Sequence, residues 1–156
     1  MFKEIRKITR KMEYSQALDF LKSCDYGVLS TIGEDGYPYG LPLSYVFYDN
    51  CIYFHCGKLG HKLDNIEFSN KVSFCVIDDV ETLPDKFSTK YKSVIVFGTA
   101  EEITSYDEKE TILTELIKKF SENYLKEGLE YIHRAASATK IIRINIDHFS
   151  GKARVD

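Results

Sequence analysis

The chain is short of several things, and each shortage excludes a class of function. No stretch of its 156 residues approaches the roughly 18 consecutive apolar residues that a membrane-spanning helix needs. The first twelve residues carry Lys3, Glu4, Arg6, Lys7, Arg10 and Lys11 with no apolar run between them, so they are not a secretory signal, and a cytoplasmic protein is expected. There is no surplus of positive charge. A net charge of -3 and an isoelectric point near 5.8 argue against a nucleic-acid-binding domain, although a small basic site within an acidic whole is still allowed. No G-x-S-x-G elbow, no Rossmann G-x-G-x-x-G and no P-loop occurs. None of the four cysteines (Cys24, Cys51, Cys56, Cys75) forms a C-x-x-C pair, and each lies in or beside an apolar segment. Reduced thiols acting as small hydrophobes are expected. A metal site from Cys51, His55, Cys56 and His61 fits no zinc spacing, so no metal is expected. Internal repeats and low-complexity tracts are also missing.

What is present reads as one globular domain over 1–156, with a charged lead-in at 1–13: hydrophobic residues are 44% and charged residues 29% of the chain. Apolar spacing predicts a helix over 14–24. Strands follow at 26–32 (YGVLSTI) and beyond the turn Gly33-Glu34-Asp35-Gly36. Pro38 and Pro42 donate no ladder hydrogen bond, so the second strand belongs at an edge, a bulge or a swerve. Further strands are expected at 71–77, at 91–103 with a bulge at Gly98, and at 139–149. A polar loop spans 78–90. A long helix from Asp107 to about Tyr124 has capping-box spacing at Asp107 and Glu110, and Gly128 is expected to break it. The basic residues after Phe149 read as a tail. The expected fold is mainly β: a six-stranded antiparallel barrel with peripheral helices, closed to remove its edges.

Residues 40–62, GLPLSYVFYDNCIYFHCGKLGHK, carry the densest chemistry. They read as a hairpin about Asp49-Asn50, followed by a glycine-punctuated basic loop that opens a short helix through about Phe68. Alternation puts Ile52, Phe54 and Cys56 on an inward face and Cys51, Tyr53 and His55 on the other. A helix start with free amides, Lys58, His61 and Lys62 suits a phosphate; a solvated basic turn is the plainer alternative. His55 suits a ligand-facing donor, or equally a strand histidine satisfied by a carbonyl. The aromatic crowd at Tyr37, Tyr39, Tyr45, Phe47, Tyr48, Tyr53 and Phe54 suits a stacking wall, or equally a core or a dimer interface.

At these residues the chain resembles a known superfamily. PLSYVF (42–47), IYFH (52–55), G-x-x-G-x-K (57–62) and YKSVIVFGTA (91–100), in that order, are similar to the FMN-binding split β-barrels of pyridoxamine 5′-phosphate oxidase. The branch named for 5-nitroimidazole resistance is the nearest in kind, and the likeness runs from about Ser23 to Lys152. It implies a homodimer holding FMN at the subunit interface. Pro42, Leu43, Ser44, Tyr45 and Val46 would then lie along the isoalloxazine. His55 and Lys62 would approach the ribityl phosphate with Lys58, Gly60 and His61 nearby, while Ser93 and Lys152 would reach the cofactor of the other copy. It further implies reduction of a nitroaromatic or similar small acceptor, with a reduced nicotinamide or a reduced flavin as electron donor. His55 is the candidate catalytic residue and no acid or base is otherwise assigned. The departure is at the end: HFSGKARVD lacks the R-x-H pair with which vitamin-oxidising members grip their substrate phosphate. A non-catalytic flavin- or haem-binding module, with His55, His61 or His148 as axial ligand, is the alternative.

Overall fold

The computed structural model describes residues 1–156. Seven strands, β1 (Tyr26–Ile32), β2 (Pro38–Ser44), β3 (Val46–Tyr48), β4 (Cys51–Cys56), β5 (Lys71–Leu83), β6 (Ser88–Ile103) and β7 (Lys140–Arg154), form one antiparallel sheet in the order β2-β1-β5-β6-β7-β4-β3. Four α-helices accompany them: α1 (Tyr14–Ser23), α2 (His61–Phe68), α3 (Tyr106–Phe120) and α4 (Leu125–Ala135).

The sheet must curl. β2 and β3 occupy its opposite edges, yet Tyr45 alone separates them in the chain. Residues two apart lie at most about 7 Å from each other, so the two rims meet at Tyr45 and the sheet becomes a split barrel. Six strands were expected, and the seventh arises because the segment bends at this corner. β2 leaves β1 there and β3 goes on to pair with β4 through Val46↔Tyr53. The prolines fit this course, since Pro38 and Pro42 sit on an edge strand. Asp49 and Asn50 both adopt positive φ (46° and 58°), as a two-residue hairpin turn requires.

Two apolar clusters hold the elements. Inside the barrel, Leu29, Tyr45, Ile52, Phe54, Phe74, Val76, Val94, Val96 and Ile144 pack with Ala17 and Leu21 of α1, which plugs one end. Outside it, Ile112 and Leu116 of α3 cover Val46, Tyr53, Ile103 and Ile141. Alternation along β4 therefore phases as expected, but Tyr53, on the face read as the less apolar, is buried beneath a helix.

The structure corrects several element boundaries. The 78–90 segment is mostly ladder: β5 and β6 pair as far as Leu83↔Ser88, with a bulge between Asp78 and Glu81. The basic tail is the end of β7, pairing through Tyr91↔Arg154. The register shifts between Phe97 and Gly98, where a Cβ on Gly98 would collide with the Asn145 carbonyl. Ser105, not Asp107, caps α3, accepting from the Glu108 amide at 3.5 Å. Gly128 breaks nothing. It lies within α4, where a Cβ would fall 2.7 Å from Ile117 Cγ2, so glycine lets the two helices touch. The lead-in docks too: the Met12 amide donates to the Gly151 carbonyl at 2.9 Å, and Phe2 stacks on His148.

Candidate functional site

β4 ends at Cys56, paired with Lys140 of β7, and delivers an exposed His55 to one rim of the barrel. The chain then makes the exposed loop 57–60 and enters α2. Gly60 is the N-cap at φ 149°, and the amides of Leu63 and Asp64 close on its carbonyl at 2.9 and 3.2 Å. The amides of His61 and Lys62 precede the first helical acceptor and have no intrahelical partner. Lys62 Nζ lies 4.0 Å from where a Cβ on Gly60 would stand, so the ammonium folds back over the loop. Lys140 approaches from β7 and is also paired with Glu102 at 3.0 Å. Both ammonium groups act on the Cys56 thiol, whose pKa burial nonetheless pushes up. A loop with glycine at both ends, open amides and nearby lysines fits an anionic group. Buried Asn65 anchors the helix beneath it by donating to Thr31 Oγ1 of β1 at 2.9 Å.

The histidines differ in freedom. His61 stacks on Tyr39 with centroids 3.9 Å apart, and His148 on Phe2 at 4.9 Å. Axial ligation by either would first break a stack. No three His, Cys, Asp or Glu side chains converge in a geometry that would hold a metal ion.

Residues 42–46 alternate rather than lie along one surface. Leu43 packs against the barrel core and Tyr45 lies within it, donating its hydroxyl to the Leu21 carbonyl, and burial drives its phenol pKa upward. Val46 is buried under α3. Pro42 and Ser44 point outward and are exposed. The Tyr45 carbonyl is occupied by Lys119 Nζ at 3.0 Å, which also donates to the Cys24 carbonyl and lies 4.2 Å from the Tyr45 ring centre. Burial holds the Lys119 pKa below the usual ammonium range. No sequence pattern singles this lysine out: it is one of two adjacent lysines in the last turn of α3.

Ser44 belongs to the outer face of the sheet. Register continues outward from it through Ser44↔Tyr26, Ile77↔Ser93 and Ser93↔Lys152. The adjoining rows hold Val28, Cys75, Ile95 and Ser150, then Ser30, Ser73, Phe97 and His148. Lys152 is the one formal charge within these three rows, Lys71 and Arg154 flank them, and Val28, Ile77, Ile95 and Phe97 lie exposed on this face. Ser93 and Lys152 are three and four strands along from Ser44, roughly 15–20 Å at about 4.8 Å per strand. The fold therefore gathers His55, Lys58, Gly60, His61, Lys62 and Ser44 at one rim and leaves Ser93 and Lys152 apart. At that rim, a cavity of about 600 Å³ opens between the α3–α4 pair and the barrel, with Ser44 and His55 on its wall.

With this geometry in hand, comparison with known proteins is decisive for kinship. The family model described as pyridoxamine 5′-phosphate oxidase matches residues 13–153.

The chain belongs to the pyridoxamine 5′-phosphate oxidase family.

Solved structures agree on the family fold. A conserved hypothetical protein from Mycobacterium tuberculosis superposes with a TM-score of 0.81 at 21% identity, covering 96% of this chain and 90% of that one. The FAD and haem binding protein of Mycobacterium smegmatis gives 0.80 at 20%, covering 94% and 74%. A protein from Bacteroides thetaiotaomicron with a provisional role in 5-nitroimidazole antibiotic resistance gives 0.73 at 16%, covering 92% and 86%. No curated protein sequence matches. No helix of this family member is long and apolar enough to cross a membrane.

Proposed function

We propose that this protein is a homodimeric flavin-binding oxidoreductase that takes FMN and reduces nitroaromatic or similar small acceptors. The observation that carries the reading is the anion loop at the barrel rim: Gly57 and Gly60 leave room, the His61 and Lys62 amides point out, and Lys62 Nζ folds over them beside Lys140. In this reading Lys62, Lys58 and the helix-start amides hold the phosphate by charge-assisted hydrogen bonds. His55 and His61 flank it, and the exposed edge of β2 at Pro42 and Ser44 borders the ring system. Family membership supports a flavin, as do solved relatives that bind FAD. The centre of the outer face, where Val28, Ile95 and Phe97 lie exposed without a formal charge among them, supports a dimer, because interface centres are depleted of charge. It would carry Ser93 and Lys152 toward the partner's cofactor. When bound, the flavin would supply the redox chemistry, two electrons that with two protons in all convert a nitro group to a nitroso group and water, and a reduced nicotinamide or a reduced flavin would be the source of those electrons. Vitamin B6 oxidation is not proposed, since β7 ends in Lys152-Ala153-Arg154 without the R-x-H pair.

The test is an absorbance spectrum of the purified protein, with mass identification of whatever heat releases, which separates FMN from FAD. Lys62→Ala is expected to weaken FMN retention about tenfold or more, the loss of one charge-assisted hydrogen bond, with the dimer intact. A colourless wild type that takes up no FMN overturns the reading, and a Soret band after haem titration without a flavin spectrum selects the haem alternative.

A further inference from the structure

The cavity between the α3–α4 pair and the barrel is not needed to grip a phosphate, and its walls have a chemistry of their own. Its volume of about 600 Å³ lies within the range of small-molecule sites. Loose helix packing does not explain it, because α3 and α4 touch at Gly128 and Ile117. The space arises where the helical pair stands off the rim that carries Ser44 and His55. Its lining is mostly apolar, and the one formal charge on it is Glu127. Phe120, Tyr124 and Tyr131 line it; Lys119 Nζ lies 5.2 Å from the Phe120 ring centre, whereas Tyr124 and Tyr131 remain 66 and 63% exposed. Anions are disfavoured by the glutamate and by the absence of any lysine or arginine on the wall. The two exposed tyrosine rings favour a flat ring. Ser44 and His55 supply the polar groups at one end.

We propose that this cavity is a binding site for a planar, uncharged aromatic molecule, oriented by Ser44 and His55 at the barrel rim. Its use as the acceptor pocket rests on the flavin reading above; the binding itself does not. N-phenyl-1-naphthylamine, whose fluorescence rises in apolar sites, is the probe. It is titrated into the protein as purified and again after saturation with FMN. Saturable binding of one probe per chain is expected in both. Ala135→Phe and Ser121→Phe, which fill the cavity from α4 and from the end of α3, are each expected to weaken the probe by about tenfold or more. Flavin content and melting midpoint should hold. Using two variants from different elements guards against one that fails to fold. The proposal is overturned if the probe does not saturate, if both folded variants bind it as the wild type does, or if FMN displaces it one for one, since the cavity is then the cofactor's own. A colourless protein whose probe site still responds to both variants removes the flavin reading and keeps this one.

Discussion

Replacing Lys119 by Met tests whether one half-buried ammonium holds the barrel's seam. Lys119 Nζ donates to the carbonyls of Cys24, where α1 ends, and Tyr45, where the sheet's rims meet, so a single group ties α3 to both. Hydrogen bonds from charged donors contribute about 1.5–3 kcal/mol each, which gives roughly 3–6 kcal/mol for the pair. Part of that returns on substitution, because burial disfavours the charged amine and Met keeps the stem over the Tyr45 ring. A net loss of about 2–4 kcal/mol remains. In a chain of this size each kcal/mol moves the melting midpoint by about 2–4 °C, so Lys119→Met should melt roughly 5–15 °C lower. The adjacent Lys118 is the control. It is exposed and pairs only with Glu115 at i,i+3, 2.9 Å away, a contact worth about 0.2–0.5 kcal/mol. Thermal melts by circular dichroism on both variants decide the matter, and near-identical midpoints would refute the reasoning.

Two further outcomes follow from packing and titration. Gly128→Ala gains about 1 kcal/mol of helix propensity but drives a methyl against Ile117, at about 1–3 kcal/mol; it should melt a few degrees lower than the wild type and cause no such loss when added to Ile117→Ala, which removes all three opposing carbons, whereas a higher midpoint for the single variant contradicts the contact. Burial pushes the thiols of Cys24, Cys51, Cys56 and Cys75 up, so above the ordinary thiol value of about 8.5 the folded chain binds more protons than the unfolded one. The contribution of these thiols is therefore complete below that value and falls as pH rises from about 8 to 10, opposed in part by Lys119, whose lowered pKa acts with the opposite sign below the ordinary ammonium value. The change in melting midpoint between pH 7.5 and 9.5 should be less unfavourable in Cys24→Ala than in the wild type, and an identical change in both counts against it.

Much of the barrel was legible because alternation survives wherever one face of a strand is packed. Ile52 and Phe54 point inward as their phase requires, and Pro38 and Pro42 lie on an edge. The glycine-punctuated basic loop and the helix start after it were legible because glycine, lysine and a helix start have local signatures. Other features depend on partners distant in sequence. Tyr53 reads as a half-polar strand residue until α3, more than 50 residues later, covers it. Gly128 reads as a helix breaker because propensity knows nothing of Ile117 across the α3–α4 contact. The strand at 78–83 reads as loop because its polar side chains pair with those of another exposed strand, through contacts such as Lys92 Nζ to Asp79 at 2.7 Å, instead of alternating over a core. Lys119 carries no pattern at all, since its partners are carbonyls.

The corner at Tyr45 also constrains how such a protein can change. One added or deleted residue between Ser44 and Val46 would reverse the facing of every side chain in β3, sending Val46 to solvent and unmaking its pairing with Tyr53. The tips at 33–36, 49–50 and 84–87 have no such consequence, since an extra residue there lengthens a turn without reversing a ladder. Natural variation in length should gather at those tips, and a circularly permuted chain opened at Asp49-Asn50 would keep its seam whole.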